Sequence, residues 1–242
     1  MSDATTPDAT RHREPSLDEA QQRWNEFVDA IGHELRTPLT AIIGFQELLE
    51  DGIYGTLPDP CRGAIGRIGS SAQELLALLN GMVDLARPAE APPELDLDDV
   101  RLDHVIDEAR DAGRRLAPER DVSWSDEAAP ELGLIRTDQR RLQRALFLAI
   151  LAAVRATPGG HLHLKAVPLP AGGAELRLQG PAFDYVPQPP LADVVLRRGH
   201  RDDRSLLRLC LAVDTLALLG CPVELETGPP AELVIRLRST PL

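Results

Sequence analysis

The side chains best suited to chemistry lie together in one short run, His33-Glu34-Leu35-Arg36-Thr37-Pro38-Leu39-Thr40. An imidazole that is partly neutral at pH 7 is a fair nucleophile. The carboxylate of Glu34 is adjacent in sequence and can accept a hydrogen bond from the ring, which would orient the free ring nitrogen. Thr37 follows His33 by one helical turn and therefore lies on the same helix face. The run predicts nucleophilic chemistry at His33.

A long amphipathic helix is predicted to position this run. Ser16 and Glu19 match a capping box, and the helix is expected over residues 17–51. At about 100° per residue, His33 points away from the packed face and toward solvent. Pro38 removes one backbone hydrogen bond and predicts a bend just after His33. Apolar or small residues recur in alternating steps of four and three, a heptad pattern: Trp24, Val28, Ile31, Leu35, Pro38, Ile42, Phe45 and Leu49.

A second helix of the same kind is expected over residues 61–86, after a turn that contains Gly52 and Gly55. Two such helices joined by a short turn form an antiparallel hairpin. One hairpin buries a single stripe on each helix, so a homodimeric four-helix bundle is predicted. The pattern repeats the alternating four and three steps at Cys61, Ile65, Ile68, Ala72, Leu75, Leu79, Met82 and Ala86.

The rest of the chain reads as an α+β sandwich, with helices on one face of a mixed sheet. Residues 88–93, Pro-Ala-Glu-Ala-Pro-Pro, separate it from the hairpin. Gly220 is read as the stop of the last helix. Strands are expected over residues 95–97, 122–124, 132–135, 161–167, 174–178, 223–226 and 232–237, and helices over residues 102–116, 138–156, 191–196 and 205–219. In the strand over 161–167, His161 and His163 share one face, which is interpreted as an exposed sheet face rather than a metal site.

Composition narrows the class of protein. The chain has 242 residues, 43% of them hydrophobic and only 3% aromatic, so an aliphatic core that suits helices is expected. A net charge of −12 argues against nucleic acid or an anionic membrane as the partner. No apolar run reaches the roughly 18–20 residues that span a bilayer, so a cytoplasmic protein is expected. Cys61, Cys210 and Cys221 lack CxxC spacing and are predicted to be buried thiols.

The run from His33 to Thr40, preceded by Phe27-Val28 and followed by an apolar helix, resembles the H-box of sensor histidine kinases. The resemblance covers residues 19–88 and continues more weakly to the C-terminus, where that family has its ATP-binding domain. It implies that His33 accepts a phosphoryl group with Glu34 as general base. It also implies that Thr37 positions water for a phosphatase reaction at an aspartyl phosphate. Arg36 is expected to pair with phosphate or with a receiver domain.

The C-terminal part departs from the family pattern at three places. The magnesium-binding asparagines of the family's N-box fall on Leu148 and Ala152, which offer no oxygen ligand. The Asp-x-Gly-x-Gly element is replaced by residues 179–183, Gln-Gly-Pro-Ala-Phe. The glycine-rich phosphate loop is replaced by a segment in which Asp202 and Asp203 would repel a triphosphate. A nucleotide-binding fold without its nucleotide is therefore predicted, with no cofactor and no metal.

Together these features predict a two-component signal transduction protein of histidine kinase descent. His33 would exchange a phosphoryl group with aspartates of response-regulator receiver domains. Two alternatives stay open, an ATP-dependent sensor histidine kinase that would need ATP and magnesium, and a non-catalytic pseudokinase adaptor. The expected organisation is a disordered tail over residues 1–15 and a dimerisation and phosphotransfer domain over 16–88. A linker over 89–94 and a degenerate ATPase-like domain over 95–242 follow.

Overall fold

The computed structural model describes residues 17–86, 94–181, 203–226 and 231–240. Three expected segments lie outside the described residues: the tail over 1–15, the linker over 89–94 except for its last residue, and the helix over 191–196. Within them, an N-terminal helical hairpin is followed by a C-terminal unit with a mixed sheet, as the sequence predicts.

The hairpin consists of α1 (Leu17–Glu50) and α2 (Asp59–Ala86). Gly52 and Gly55 have φ angles of 73° and 107° in the connecting turn, a left-handed region that favours glycine. The helices approach closely near His33, since a Cβ added to Gly32 would lie 2.6 Å from Cγ2 of Val83. The inner face between the helices is formed by a small cluster, Leu39, Ile43, Ala72, Leu76 and Leu79.

Most of the predicted heptad positions of α1 face away from α2 rather than toward it. The large apolar side chains on this side form what we call the outer apolar face, and their exposed fractions lie between 36% and 60%. Helical periodicity identifies an apolar stripe but does not say which neighbour covers it. The outer apolar face consists of Trp24, Phe27, Ile31, Leu35, Ile42 and Phe45 of α1, and Ile68, Leu75 and Met82 of α2.

The C-terminal unit contains one five-stranded and one two-stranded sheet. The larger sheet has the order β2-β4-β5-β7-β6; β2 runs parallel to β4, and the other neighbours are antiparallel. Strands β1 and β3 pair antiparallel. The strands are β1 (Asp98–Arg101), β2 (Ser123–Ala128), β3 (Leu134–Thr137), β4 (His161–Pro168), β5 (Ala174–Gln179), β6 (Val223–Glu226) and β7 (Glu232–Leu237), and the helices are α3 (Leu102–Leu116), α4 (Gln139–Ala156) and α5 (Asp203–Leu218), with a 3-10 helix at Ala117–Arg120.

Helix ends follow local signals, whereas three strand predictions were wrong in position or length. The strand expected over residues 132–135 spans Leu134–Thr137. Asp138 caps α4 by accepting a hydrogen bond from the backbone nitrogen of Arg141 at 3.0 Å, and Gly220, with a φ of 73°, follows α5. The first strand spans Asp98–Arg101 rather than residues 95–97, because pairing with β3 defines it. Strand β2 extends to Ala128 because it pairs with β4 along its whole length, despite its polar composition.

The main core lies between the larger sheet and the three helices of the C-terminal unit. Alternation along β4 buries Leu162 and Leu164 against the helices and leaves His161 and His163 on the open face of the sheet. Cys221 is buried and Cys210 is partly buried, but Cys61 is exposed, so its predicted burial was wrong. Across the described residues, none of the helices combines the length and hydrophobicity needed to cross a membrane.

Candidate functional site

His33 is exposed in the middle of α1 and borders a cleft of about 960 Å³ between the hairpin and the C-terminal unit. The hairpin contributes Arg36 and Asn80 beside His33, and α4 contributes Arg140 and Arg144 on the opposite wall. The histidine is thus accessible to a partner molecule, as the sequence predicts.

Arg36 joins His33 to the second helix. Its Nε and Nη2 atoms donate to Oδ1 of Asn80 at 3.2 and 2.8 Å. Its Nη1 atom lies 3.3 Å from Nδ1 of His33, one turn earlier on α1. The sequence prediction assigned Arg36 to phosphate or to a receiver domain and did not identify Asn80. The only signal in the sequence was an amide side chain within an otherwise largely apolar stretch of α2.

Glu34 and Thr37 are both exposed on α1, next to His33 in sequence. The His33 ring lies within hydrogen-bond distance of Arg36, rather than of Glu34. The roles of Glu34 as general base and of Thr37 in positioning water stay predictions.

Two clusters of ion pairs fasten α2 to the C-terminal unit. Asp84 pairs with Arg144, and with Arg141 at 3.4 Å. Ten residues earlier, Glu74 pairs with Arg155 at 3.0 Å and also with Arg208 of α5. Burial lowers the pKa of Arg144 by more than the carboxylate of Asp84 raises it. Both clusters are largely shielded from water and hold the wall of the cleft in place.

Apolar contacts lie between the two clusters. Ala77 is 6% exposed and belongs to the core of the C-terminal unit. A Cβ added to Gly81 would lie 3.1 Å from a methyl group of Leu211, so α2 approaches α5 closely here and a larger residue would require Leu211 to shift. The hairpin is therefore packed directly on the helical layer.

The two positions that the family resemblance aligns with magnesium-binding asparagines lie in the main core. Leu148 is 0% exposed and Ala152 is 3% exposed. Helical spacing places both on the same side of α4 as Arg144 and Arg155, which pair with α2. This side of α4 offers aliphatic carbon where a hydrated cation would need oxygen. Across the described ranges, no cluster of three or more His, Cys, Asp or Glu side chains could hold a metal ion.

The glycine that remains from the Asp-x-Gly-x-Gly element has a packing role. A Cβ added to Gly180 would lie 2.4 Å from Cδ2 of Leu162 and 3.0 Å from the carbonyl oxygen of His161. The replacement of the phosphate loop at Asp202 falls outside the described residues. Close packing against β4 therefore accounts for the glycine at position 180 without a bound nucleotide.

His161 and His163 lie on one face of the sheet, as predicted. The Oγ atom of Ser125 is 3.0 Å from Nε2 of His161 and 2.8 Å from Nδ1 of His163. Two imidazoles joined by one hydroxyl form a surface hydrogen-bond group, and they are separate from the cleft at His33.

A hairpin that exposes a histidine, followed by a mixed-sheet unit, is the arrangement of the histidine kinases. Residues 23–91 match the His Kinase A (phospho-acceptor) domain. The sensor protein DivL of Caulobacter vibrioides is 32% identical over 161 residues, which is 65% of this chain and 20% of DivL. The sensor protein SphS of Synechococcus elongatus is 31% identical over 205 residues, 81% of this chain and 46% of SphS. The cell-division control histidine kinase PdhS of Brucella suis is 32% identical over 145 residues, 59% and 14% of the two chains.

Solved structures agree in fold. Full-length ShkA in complex with AMPPNP aligns with a TM-score of 0.52 and 23% identity, over 90% of this chain and 46% of ShkA. The histidine kinase AdeS of Acinetobacter baumannii aligns with a TM-score of 0.50 and 15% identity, over 86% and 98% of the two chains. Residues 23–91 thus form a domain of the His Kinase A (phospho-acceptor) family, and the match to sensor proteins and histidine kinases extends beyond this domain. The chain spans less than half the length of the three curated relatives described above.

Proposed function

We propose that His33 carries a phosphoryl group that it exchanges with aspartates of response-regulator receiver domains, and that this chain does so without binding ATP. The observation that carries the proposal is the exposure of His33 at an open cleft, within the segment that matches a phospho-acceptor domain. A receiver domain would approach this cleft and bring its aspartyl phosphate to the ring.

The transfer needs positioning more than new chemistry on this chain. The lone pair of a ring nitrogen attacks phosphorus and forms an N–P bond. The P–O bond of the aspartyl phosphate breaks, and its electrons return to the aspartate carboxylate. The proton on the other ring nitrogen leaves to Glu34 or to water, and the reverse reaction restores it. Magnesium belongs to the receiver domain in this scheme.

The side chains buried on α4 support the proposal that this chain does not bind ATP. Leu148 and Ala152 are buried in the core, on the side of α4 whose arginines pair with α2, and neither has an oxygen atom in its side chain. Moving the hairpin away would break the ion pairs of Glu74 and Asp84 and would expose aliphatic surface. ShkA was solved with the nucleotide AMPPNP, but that similarity concerns the fold.

Two further assignments belong to this proposal. We assign dimerisation to the outer apolar face, which would be covered by the same face of a second chain. We assign phosphotransfer and dimerisation to residues 16–88, and a scaffold or receiver-docking role to residues 95–242. The phosphatase reaction would use Thr37 to position water at an aspartyl phosphate.

The test compares two phosphoryl donors on the purified chain. One sample receives radiolabelled ATP with magnesium. The other receives a receiver domain whose aspartate has been phosphorylated with radiolabelled acetyl phosphate. The proposal expects label on the wild type from the receiver alone, and no label on His33→Ala. Label from ATP on the wild type but not on His33→Ala would establish a kinase and overturn the proposal. No label from either donor, across the receiver domains of the same organism, would favour the adaptor.

A further inference from the structure

Two histidines and a serine converge on the open face of the larger sheet. Nε2 of His161 lies 3.0 Å from Oγ of Ser125, and Nδ1 of His163 lies 2.8 Å from the same atom. One hydroxyl can donate a hydrogen bond and also accept one, so it can serve both rings. One nitrogen of each ring therefore faces a single point on the surface of the protein.

The backbone of the sheet produces this convergence. Residues two apart on a strand share a face, which places both rings on the same side of β4. Strand β2 runs parallel to β4 with Ser125 opposite His163, so the serine also lies diagonally across from His161. Leu162 and Leu164 are 0% exposed on the other face and anchor β4 in the core. The sheet thus holds the two histidine α-carbons in place before any ligand binds.

Two imidazoles at this spacing suit a transition metal ion. Imidazole nitrogen is a good ligand for Zn²⁺, Cu²⁺ and Ni²⁺, whereas Mg²⁺ and Ca²⁺ take oxygen ligands. Both facing nitrogens can hold lone pairs at the same time when each neutral ring keeps its proton on its other nitrogen. Two neutral rings can therefore bind one ion together without releasing a proton.

The charges beside the pair are compatible with a bound cation. Glu127 and Lys165 follow on the same sheet face and form an ion pair, so the positive charge of Lys165 is balanced. The hydrogen bond from Lys165 lowers the pKa of the Glu127 carboxyl, and the nearby ring of His163 adds to this effect. A carboxylate close to the two imidazoles offsets part of the charge of a divalent ion.

We propose that His161 and His163 form a surface site for one divalent transition metal ion of the zinc, copper and nickel class, with Ser125 beside the ion and water in the remaining positions. The site does not depend on the proposed function, because neither histidine borders the cleft at His33. Strand alternation places the two rings on one face but does not show where their nitrogens point. The sequence alone therefore predicted an exposed sheet face and no metal.

Calorimetric titration with ZnCl₂ tests the proposal on the full chain, purified without an affinity tag and treated with EDTA. We expect one ion per chain at this site. His161→Gln and His163→Gln should each weaken binding by more than about tenfold, a loss that even an outer-shell partner of a metal ligand can cause. The matched control is His104→Gln, which removes one exposed imidazole from α3 and should bind zinc as the wild type does. CuCl₂ should bind more tightly than ZnCl₂, and an excess of MgCl₂ should not compete.

Equal zinc affinity in the wild type, His161→Gln and His163→Gln would overturn the proposal, as would a loss of binding in only one of the two variants. The absence of binding by both zinc and copper would also overturn it. A measurement on the wild type alone needs no variant to fold. Electron paramagnetic resonance of its Cu²⁺ complex should show two nitrogen ligands, and a spectrum with oxygen ligands alone would contradict the proposal.

A bound ion should also stabilise the folded chain, because a ligand that binds the folded state in preference to the unfolded state raises the melting temperature. Zinc should raise the melting temperature of the wild type and of His104→Gln, but not that of His161→Gln or His163→Gln. A zinc effect of the same size in all four proteins would place the ion elsewhere and contradict the proposal.

Discussion

The Nε atom of Arg208 in α5 donates to a carboxylate oxygen of Glu74 in α2 at 3.0 Å. Arg208 is only 7% exposed, and Glu74 also accepts from Arg155 at the end of α4. One carboxylate thus holds two helices of the C-terminal unit against the hairpin. Breaking one member of a shielded ion-pair cluster leaves the others desolvated and unpaired, which is strongly unfavourable.

Removing that carboxylate should destabilise the protein. We expect Glu74→Ala to lower the free energy of unfolding by about 2–4 kcal/mol, because Arg208 and Arg155 stay shielded without a partner. Glu131→Ala removes an exposed carboxylate from the same protein and should change it by less than about 0.5 kcal/mol. Denaturant unfolding followed by circular dichroism measures both. Equal effects of the two substitutions would contradict the role of Glu74.

The outer apolar face should mediate dimerisation. Light scattering of the wild type should give a mass about twice 26.4 kDa. Leu75 is 51% exposed within one chain, and Leu75→Glu should yield a monomer because a charge cannot be buried there without a partner. Leu134 is 61% exposed on β3, and Leu134→Glu is the matched control that should leave the dimer intact. A monomeric wild type, or a dimer that survives Leu75→Glu, would argue against this face.

Asp126 should contribute stability that depends on pH. Burial raises the pKa of Asp126, but hydrogen bonds from Arg110, Arg114 and Trp124 outweigh it and hold the pKa below its ordinary value. The carboxylate accepts from Nε of Arg110 at 2.7 Å and from Nε1 of Trp124 at 2.9 Å. The pKa of Asp126 is lower in the folded state than in the unfolded state, where it is about 3.9. The stability is therefore fully present above the unfolded-state pKa and is lost as the pH falls through the folded-state pKa.

The substitution Asp126→Asn removes the charge and keeps the shape. Its melting temperature should be lower than that of the wild type at pH 7, and the difference should shrink as the pH is lowered below about 4. Thermal unfolding across this range measures the difference. A difference that stays constant down to the lowest pH at which both proteins fold would show that the charge of Asp126 contributes nothing.

The three thiols should differ in reactivity. Burial and the charge of Asp214 raise the pKa of Cys210 to about 11, and burial raises the pKa of Cys221. Cys61 is exposed at the start of α2. Since the thiolate is the reactive form, iodoacetamide near pH 8 should modify Cys61 first, and Cys210 should react only as the pH approaches 11. Peptide mass spectrometry would contradict this if Cys210 were alkylated as fast as Cys61 near pH 8.

The helices could be predicted from sequence because their signals are local. The heptad pattern of α1 and the cap at Asp138 act within one or two turns, and these elements have nearly the predicted bounds. Strand β2 was predicted too short because its polar residues carry no apolar alternation, and its length comes from pairing with β4.

The candidate site could be predicted only in part, for the same reason. His33 lies in a run of residues that is distinctive in sequence, so its exposure was predicted. Asn80 is separated from Arg36 by 44 residues, and Glu74 is separated from Arg208 by 134. Such pairs are decided by how α2 packs on its neighbours, and no local pattern encodes that packing.

The central claim is that His33 passes a phosphoryl group between receiver domains, and a relay in one tube tests it most directly. A receiver domain labelled with radioactive acetyl phosphate and freed of donor is mixed with the chain and a second, unlabelled receiver from the same organism, without ATP. We predict that label moves to the second receiver through the wild type and that none moves with His33→Ala. Transfer at equal rates with both proteins, or no transfer through the wild type for any pair of receivers, would contradict the account.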